Sequence, residues 1–131
     1  EPFEVYGFGG KQVRDLLHAD DLARAVLACV DRPDLAIDDE THDEVNFERI
    51  PWEGEVFNVG GGYANSVSIL EANEIVGEIL GKKAELVMKP ERPLDWPWCV
   101  LSNRKITAAL GWEPTTSVRE TIRQLVEEAK S

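Results

Sequence analysis

Two Ser-x-x-Glu sequences, each opening a run of apolar residues at helical spacing, constrain this chain more than any other feature. In such a capping box the two side chains satisfy free backbone N–H groups at a helix start. Ser68 and Glu71 form the first. Behind it Ile69, Ala72, Ile75, Val76, Ile79 and Leu80 share one helical face, and Gly81 ends the run. Ser117 and Glu120 form the second, ahead of Val118, Ile122, Leu125, Val126 and Ala129. A further helix is predicted behind a cap at Asp20 or Asp21, with Leu22, Ala25, Val26, Cys29 and Val30 on its apolar face and Pro33 as its stop. Residues 103–110, closed by Gly111, read as a short fourth helix. Strand signals lie at residues 3–6, running into a glycine turn at 7–10, and at 13–18, 55–59, 84–88 and 99–101. Short strands interleaved with amphipathic helices specify an α/β fold, and 131 residues fit one domain.

Residues 34–55 break this pattern. They are rich in Asp and Glu, lack apolar periodicity and read as a long solvated loop. His42 stands among Asp39, Asp43 and Glu44, but neither the spacing nor the glycine of a calcium loop is there, so no metal is expected. Over the whole chain 25 acidic and 14 basic residues give a formal net charge of −11. A nucleic-acid backbone would be repelled by such a surface, so no nucleic-acid partner is expected. No apolar run approaches the roughly 18 residues that span a bilayer. Cys29 and Cys99 lack metal-ligand spacing and read as two buried free thiols in a reducing cytoplasm.

Two glycine clusters raise the question of a dinucleotide cofactor. Gly60-Gly61-Gly62 lies between a strand signal and a helix, but the fingerprint needs a further glycine where Asn65 stands, or in its wider form at Tyr63 and Ser66. Gly7-Phe8-Gly9-Gly10 leads into extended chain rather than a helix. Both clusters read as turns and sites of close backbone approach. Tyr6 and Tyr63 lack a lysine one helical turn later, and His18 and His42 have no nucleophile in a triad-like pattern. No complete catalytic set is visible. Anion recognition is what remains. Arg14 follows a glycine turn, and Arg92 lies in the proline-rich Lys89-Pro90-Glu91-Arg92-Pro93-Leu94-Asp95. Two planar guanidinium forks on rigid segments could grip a diphosphate, with Asp95 accepting from ribose hydroxyls. The alternative is that Arg14 pairs Asp15 or Asp20, and Arg92 pairs Glu91, on a solvated surface.

Four blocks in order carry a resemblance. They are Gly10-Lys11-Gln12-Val13-Arg14-Asp15 through Leu22; Phe57-Asn58-Val59-Gly60-Gly61-Gly62 with Asn65 to Glu71; Arg92-Pro93-Leu94-Asp95; and Ser102-Asn103-Arg104-Lys105 with Leu110-Gly111-Trp112-Glu113-Pro114. Together they resemble the C-terminal part of extended short-chain dehydrogenase/reductases, the NAD-dependent epimerase/dehydratase family. Within it the wording is closest to 2-epimerases of CDP-linked sugars; UDP-sugar 4-epimerases, dTDP-sugar dehydratases and a non-enzymatic binding module are the alternatives. The resemblance implies a small α/β substrate-binding domain over residues 1–131 that lacks the Rossmann domain, with residues about 34–55 as an insertion. It implies a nucleotide-diphosphate sugar as ligand, gripped by Arg14 and Arg92, with Asp95 on the ribose and Gln12 near the base or phosphate. Pro93-Leu94-Asp95 departs from the family's usual Pro-Gly-Asp, which puts that turn's geometry in question. His18 is expected to be structural, and Asn65 and Ser66 to shape a helix start. NAD, the catalytic tyrosine and lysine, and a homodimer interface are implied for an N-terminal domain, so this chain by itself is expected to bind no cofactor and to be inactive. The implied intact reaction is epimerisation by hydride removal to NAD and its return to the opposite face of the sugar carbon.

Overall fold

The structure, a computed structural model, describes residues 2–31 and 56–130. The acidic loop at 34–55, the His42 cluster and the Pro33 stop lie outside them. Strand β1 (Phe3–Tyr6) ends at Gly7, and a 3₁₀ turn (Phe8–Gly10) leads to β2 (Val13–Asp15) and helix α1 (Ala19–Val30). A second 3₁₀ turn (Tyr63–Asn65) precedes β3 (Ser66–Ser68) and α2 (Ile69–Leu80). Strands β4 (Leu86–Lys89) and β5 (Trp98–Cys99) follow, then α3 (Arg104–Leu110) and α4 (Val118–Glu128).

The strands form two small sheets. β1 and β4 pair in parallel, with Phe3 opposite Leu86 and Tyr6 opposite Lys89. β2 is central in the other, antiparallel to β3 and parallel to β5. Residues 56–59 join neither sheet, against the strand expected there. Phe57 and Val59 instead pack on the buried cluster of Ala25, Ile106 and Trp112, together with Leu17 and Leu110. Helix α2 packs against α4, and Arg119 on α4 pairs with Glu78 on α2 at 2.6 Å. No helix among the described residues is long and apolar enough to cross a membrane.

The caps show where local patterning was right and where tertiary contacts took over. The Ser68–Glu71 box is complete: the Glu71 N–H donates to Ser68 Oγ at 3.2 Å, and the Ser68 N–H donates to Glu71 Oε2 at 2.8 Å. At α4 only half forms. Ser117 Oγ accepts from the Glu120 N–H, while the Glu120 carboxylate turns to Arg123 and Gln124. The ion pair one turn along the helix outcompetes the backbone amide and pulls Glu120 down to about 2. The cap of α1 is neither Asp20 nor Asp21 but His18, whose Nδ1 accepts from the Asp20 N–H at 3.2 Å. Asp21 is buried instead and holds the segment before α4. Its Oδ2 accepts from the N–H groups of Thr115 and Thr116, its Oδ1 from Thr115 Oγ1 and Arg24. Its backbone carbonyl accepts from Trp112 Nε1.

That use of α1 also corrects the two thiols. The helix turns Asp21 and Ala25 inward, leaving Leu22, Val26, Leu27 and Val30 exposed, and Cys29 is exposed with them. Cys99 is exposed too, on the two-residue strand β5 at the edge of its sheet.

Candidate functional site

Sheet register brings the distant candidates together. Arg14 sits at the middle of β2, opposite Cys99 of β5. The Val13 N–H donates to the Pro97 carbonyl at 2.9 Å, which fixes where the segment before β5 runs. Asp95, two residues upstream of Pro97, thereby reaches Arg14. Arg14 Nη2 donates to Asp95 Oδ1 at 2.9 Å, and Nη1 to the Val13 carbonyl at 2.8 Å. Asp95 Oδ1 also accepts from the Trp96 N–H at 2.8 Å. Neighbouring Asp15 is not Arg14's partner: its Oδ2 accepts from the N–H groups of Gly62 and Leu101.

Arg92 and Asp95 stand at the two ends of one tight turn, closed by the Asp95 N–H on the Arg92 carbonyl at 3.3 Å. Pro93 takes its second position and Leu94, at φ 64°, its third. This is a type II pattern, whose third position favours glycine. Leu94 therefore fills a position that favours glycine while carrying a strained φ, and it is 96% exposed. Arg92 lies over the Tyr6 ring, its Cζ 4.1 Å from the centroid. Gln12 is buried, and its Nε2 donates to the Tyr6 carbonyl at 2.9 Å, tying β1 to the chain before β2. Its Oε1 is buried with no partner among the described residues.

All four sequence candidates, Gln12, Arg14, Arg92 and Asp95, line one cavity of about 270 Å³, whose wall includes Tyr6, Ile69 and Glu4. A larger open cleft of about 860 Å³ runs past Tyr63, Trp98, Leu101 and Asn103 and holds none of the four. Tyr6 and Glu4 were not legible as site residues; their only signal was the strand leading into a glycine turn. Glu4 Oε1 meets Lys89 Nζ at 3.0 Å and Oε2 accepts from the Tyr6 hydroxyl at 2.9 Å. Lys89, and then Tyr6, hold the Glu4 carboxyl below its usual range, and Glu4 raises the Lys89 ammonium in turn.

The remaining polar groups hold the frame. Asn103 clasps Gly60, accepting from its N–H at 3.0 Å and donating to its carbonyl at 2.8 Å. A Cβ on Gly60 would lie 2.3 Å from Asp15 Oδ2, and one on Gly61 would lie 2.0 Å from the Leu16 carbonyl oxygen. These two glycines admit protein rather than a pyrophosphate. Asn65 shapes a helix start, that of α4 rather than α2: Oδ1 accepts from the Val118 N–H and Nδ2 donates to the Thr116 carbonyl. Ser66 Oγ donates to the Tyr63 carbonyl. His18 is structural in this frame. With Nδ1 accepting, Nε2 carries the hydrogen and donates to Gln124 Oε1 at 2.7 Å.

Fold and sequence together define the class. Over nearly its whole length the chain matches the C-terminal part of extended short-chain dehydrogenase/reductases, the NAD-dependent epimerase/dehydratase family. It is 29% identical over 125 residues to the CDP-paratose 2-epimerase of Salmonella typhi, a match covering 95% of this chain and 32% of that protein. Among solved structures, the UDP-glucose 4-epimerase of Thermotoga maritima with UDP-glucose superposes with a TM-score of 0.73 at 29% identity, over 99% of this chain and 35% of that one. The UDP-glucose 4-epimerase of Bifidobacterium longum with NAD⁺ and UDP gives 0.71 at 26%, over 98% and 36%. No family model matches the chain. The chain spans about a third of the length of the curated relatives it matches.

Proposed function

We propose that this chain is the nucleotide-sugar-binding domain, residues 1–131 with an insertion at about 34–55, of an NAD-dependent nucleotide-sugar epimerase. The observation that carries this reading is the gathering of Gln12, Arg14, Arg92 and Asp95 around one cavity from two stretches of chain about 80 residues apart. Its volume suits a diphosphate and the adjoining ribose rather than a whole nucleotide sugar. Arg14 spends one N–H on the Val13 carbonyl and one on Asp95. A guanidinium has five N–H donors, so the rest can meet phosphate oxygens from a head already held in place. The Asp95 carboxylate is shared between Arg14 and ribose hydroxyls. Holding the diphosphate places the sugar for reaction, and such orientation can supply several kcal/mol, roughly 7–11 at best. In this reading the hydride-accepting nicotinamide is held mainly by the rest of the protein, as the NAD-bound structures of relatives support.

A CDP-linked sugar is the preferred substrate class on the likeness to the Salmonella enzyme. A UDP-sugar 4-epimerase is the second reading, on the Thermotoga structure. The two free thiols, Cys29 and Cys99, support a cytoplasmic protein; a homodimer of the intact protein rests on the family resemblance alone. Calorimetric titration of the full-length protein with CDP, UDP, dTDP and GDP tests the reading. One nucleotide should bind preferentially, and Arg14→Ala should weaken it by roughly 10- to 100-fold, the worth of charge-assisted hydrogen bonds, with bound NAD retained. Affinity unchanged by Arg14→Ala would overturn the diphosphate assignment, and no affinity for any of the four would favour a non-enzymatic module.

A further inference from the structure

We infer that Tyr6 is a positioning residue, whose ring, fixed from below by Glu4 and Lys89, sets the Arg92 guanidinium over the cavity without neutralising it. The inference rests on the reading of that cavity as a diphosphate site. Glu4 and Tyr6 are two apart on β1 and share a face, while Val5 between them is buried on the other side. Lys89 stands opposite Tyr6 in the parallel register. Glu4 bridges the two, taking the Lys89 ammonium on one oxygen and the Tyr6 hydroxyl on the other. The phenol is thus anchored at its far end, and its face carries Arg92 at 4.1 Å.

The choice of partner matters chemically. A carboxylate beneath Arg92 would take up some of its N–H groups and weaken the attraction of its charge for a phosphate. A ring face holds the cation through its quadrupole and leaves the edge donors free. Arg14, gripped by Asp95, shows the other solution. Arg92 lies on an exposed turn, so without the ring its long side chain would have to be ordered by the ligand itself, at an entropic cost to binding.

The test is a double-mutant cycle on the full-length protein, read by calorimetry with CDP, UDP, dTDP and GDP. Tyr6→Leu should weaken the preferred nucleotide by roughly 2- to 5-fold, the strength of an exposed cation–π contact. Tyr6→Phe should stay closer to wild type, because the ring remains. In an Arg92→Ala background Tyr6→Leu should have no further effect. Additive losses would overturn the inference and point to Tyr6 touching the nucleotide directly. No loss from Arg92→Ala alone would overturn the reading of the site itself. Should Tyr6→Leu fail to fold, NMR of the wild-type protein decides: the Arg92 side-chain protons should lie upfield through the Tyr6 ring current, and their absence there sinks the proposal.

Discussion

Replacing Asp21 by Asn tests the frame of the fold at its most loaded side chain. The carboxylate, 2% exposed, accepts from four donors: Arg24 and Thr115 Oγ1 on one oxygen, the Thr115 and Thr116 N–H groups on the other. An amide can keep one of these two sets. If its oxygen stays with the backbone N–H groups, its NH₂ faces the Arg24 guanidinium. The Thr115 hydroxyl can rotate to accept, but the charge-assisted bond to Arg24 is lost. A hydrogen bond to a charged group contributes about 1.5–3 kcal/mol, and Arg24 is half-exposed and can turn to water, so a loss of about 2 kcal/mol at pH 7 is expected. The pH dependence supplies the sharper signature. Burial pushes Asp21 up, but the hydrogen bonds from Arg24, Thr116 and Thr115 outweigh it and hold the group well below its ordinary value of 3.8. A carboxyl depressed on folding stabilises above its unfolded value and loses that contribution as pH falls through and below it. The gap between wild type and Asp21→Asn should therefore be constant from pH 7 to about 5 and narrow progressively below about 4. Urea unfolding followed by circular dichroism at pH 7, 5 and 3.5 measures it; the difference between variants removes the other carboxyl groups. A gap under about 0.5 kcal/mol at pH 7, or one that does not narrow at pH 3.5, would refute the reasoning.

Two further substitutions probe the frame and the site. Leu94→Gly relieves a left-handed residue, which costs about 1–2 kcal/mol, against up to about 1 kcal/mol of added unfolded-chain entropy. Thermal melts should show stability unchanged or raised by up to about 1 kcal/mol, with nucleotide affinity kept; a clear loss would mean that Leu94 makes contacts its 96% exposure denies. Gly61→Ala drives a methyl to 2.0 Å from the Leu16 carbonyl. It should cost more than about 2 kcal/mol in denaturant unfolding, and a neutral result would show that this crossing can open without consequence.

The sequence by itself determined the helices and named four candidate site residues. Periodicity, a box at Ser68–Glu71 and glycines at 81 and 111 are local signals, and local hydrogen bonding obeyed them. Arg14, Arg92, Asp95 and Gln12 were reachable because four ordered blocks resemble a family, not because lone arginines announce a ligand. Three-dimensional packing decided what each polar group does. Asp21 reads as a helix cap, yet the burial of Trp112 and the chain at Thr115 and Thr116 draw it inward and hand the cap to His18. Residues 56–59 have a strand's composition, but Phe57 and Val59 gain more by covering Ile106 and Trp112 than by pairing. Tyr6 carried no functional signal, because its role depends on Arg92, 86 residues away, arriving over its ring. Pairing of β1 with β4 brings Arg92 to Tyr6, and pairing of β2 with β5 brings Asp95 to Arg14; register between distant strands is a property of the folded sheet that no local pattern encodes.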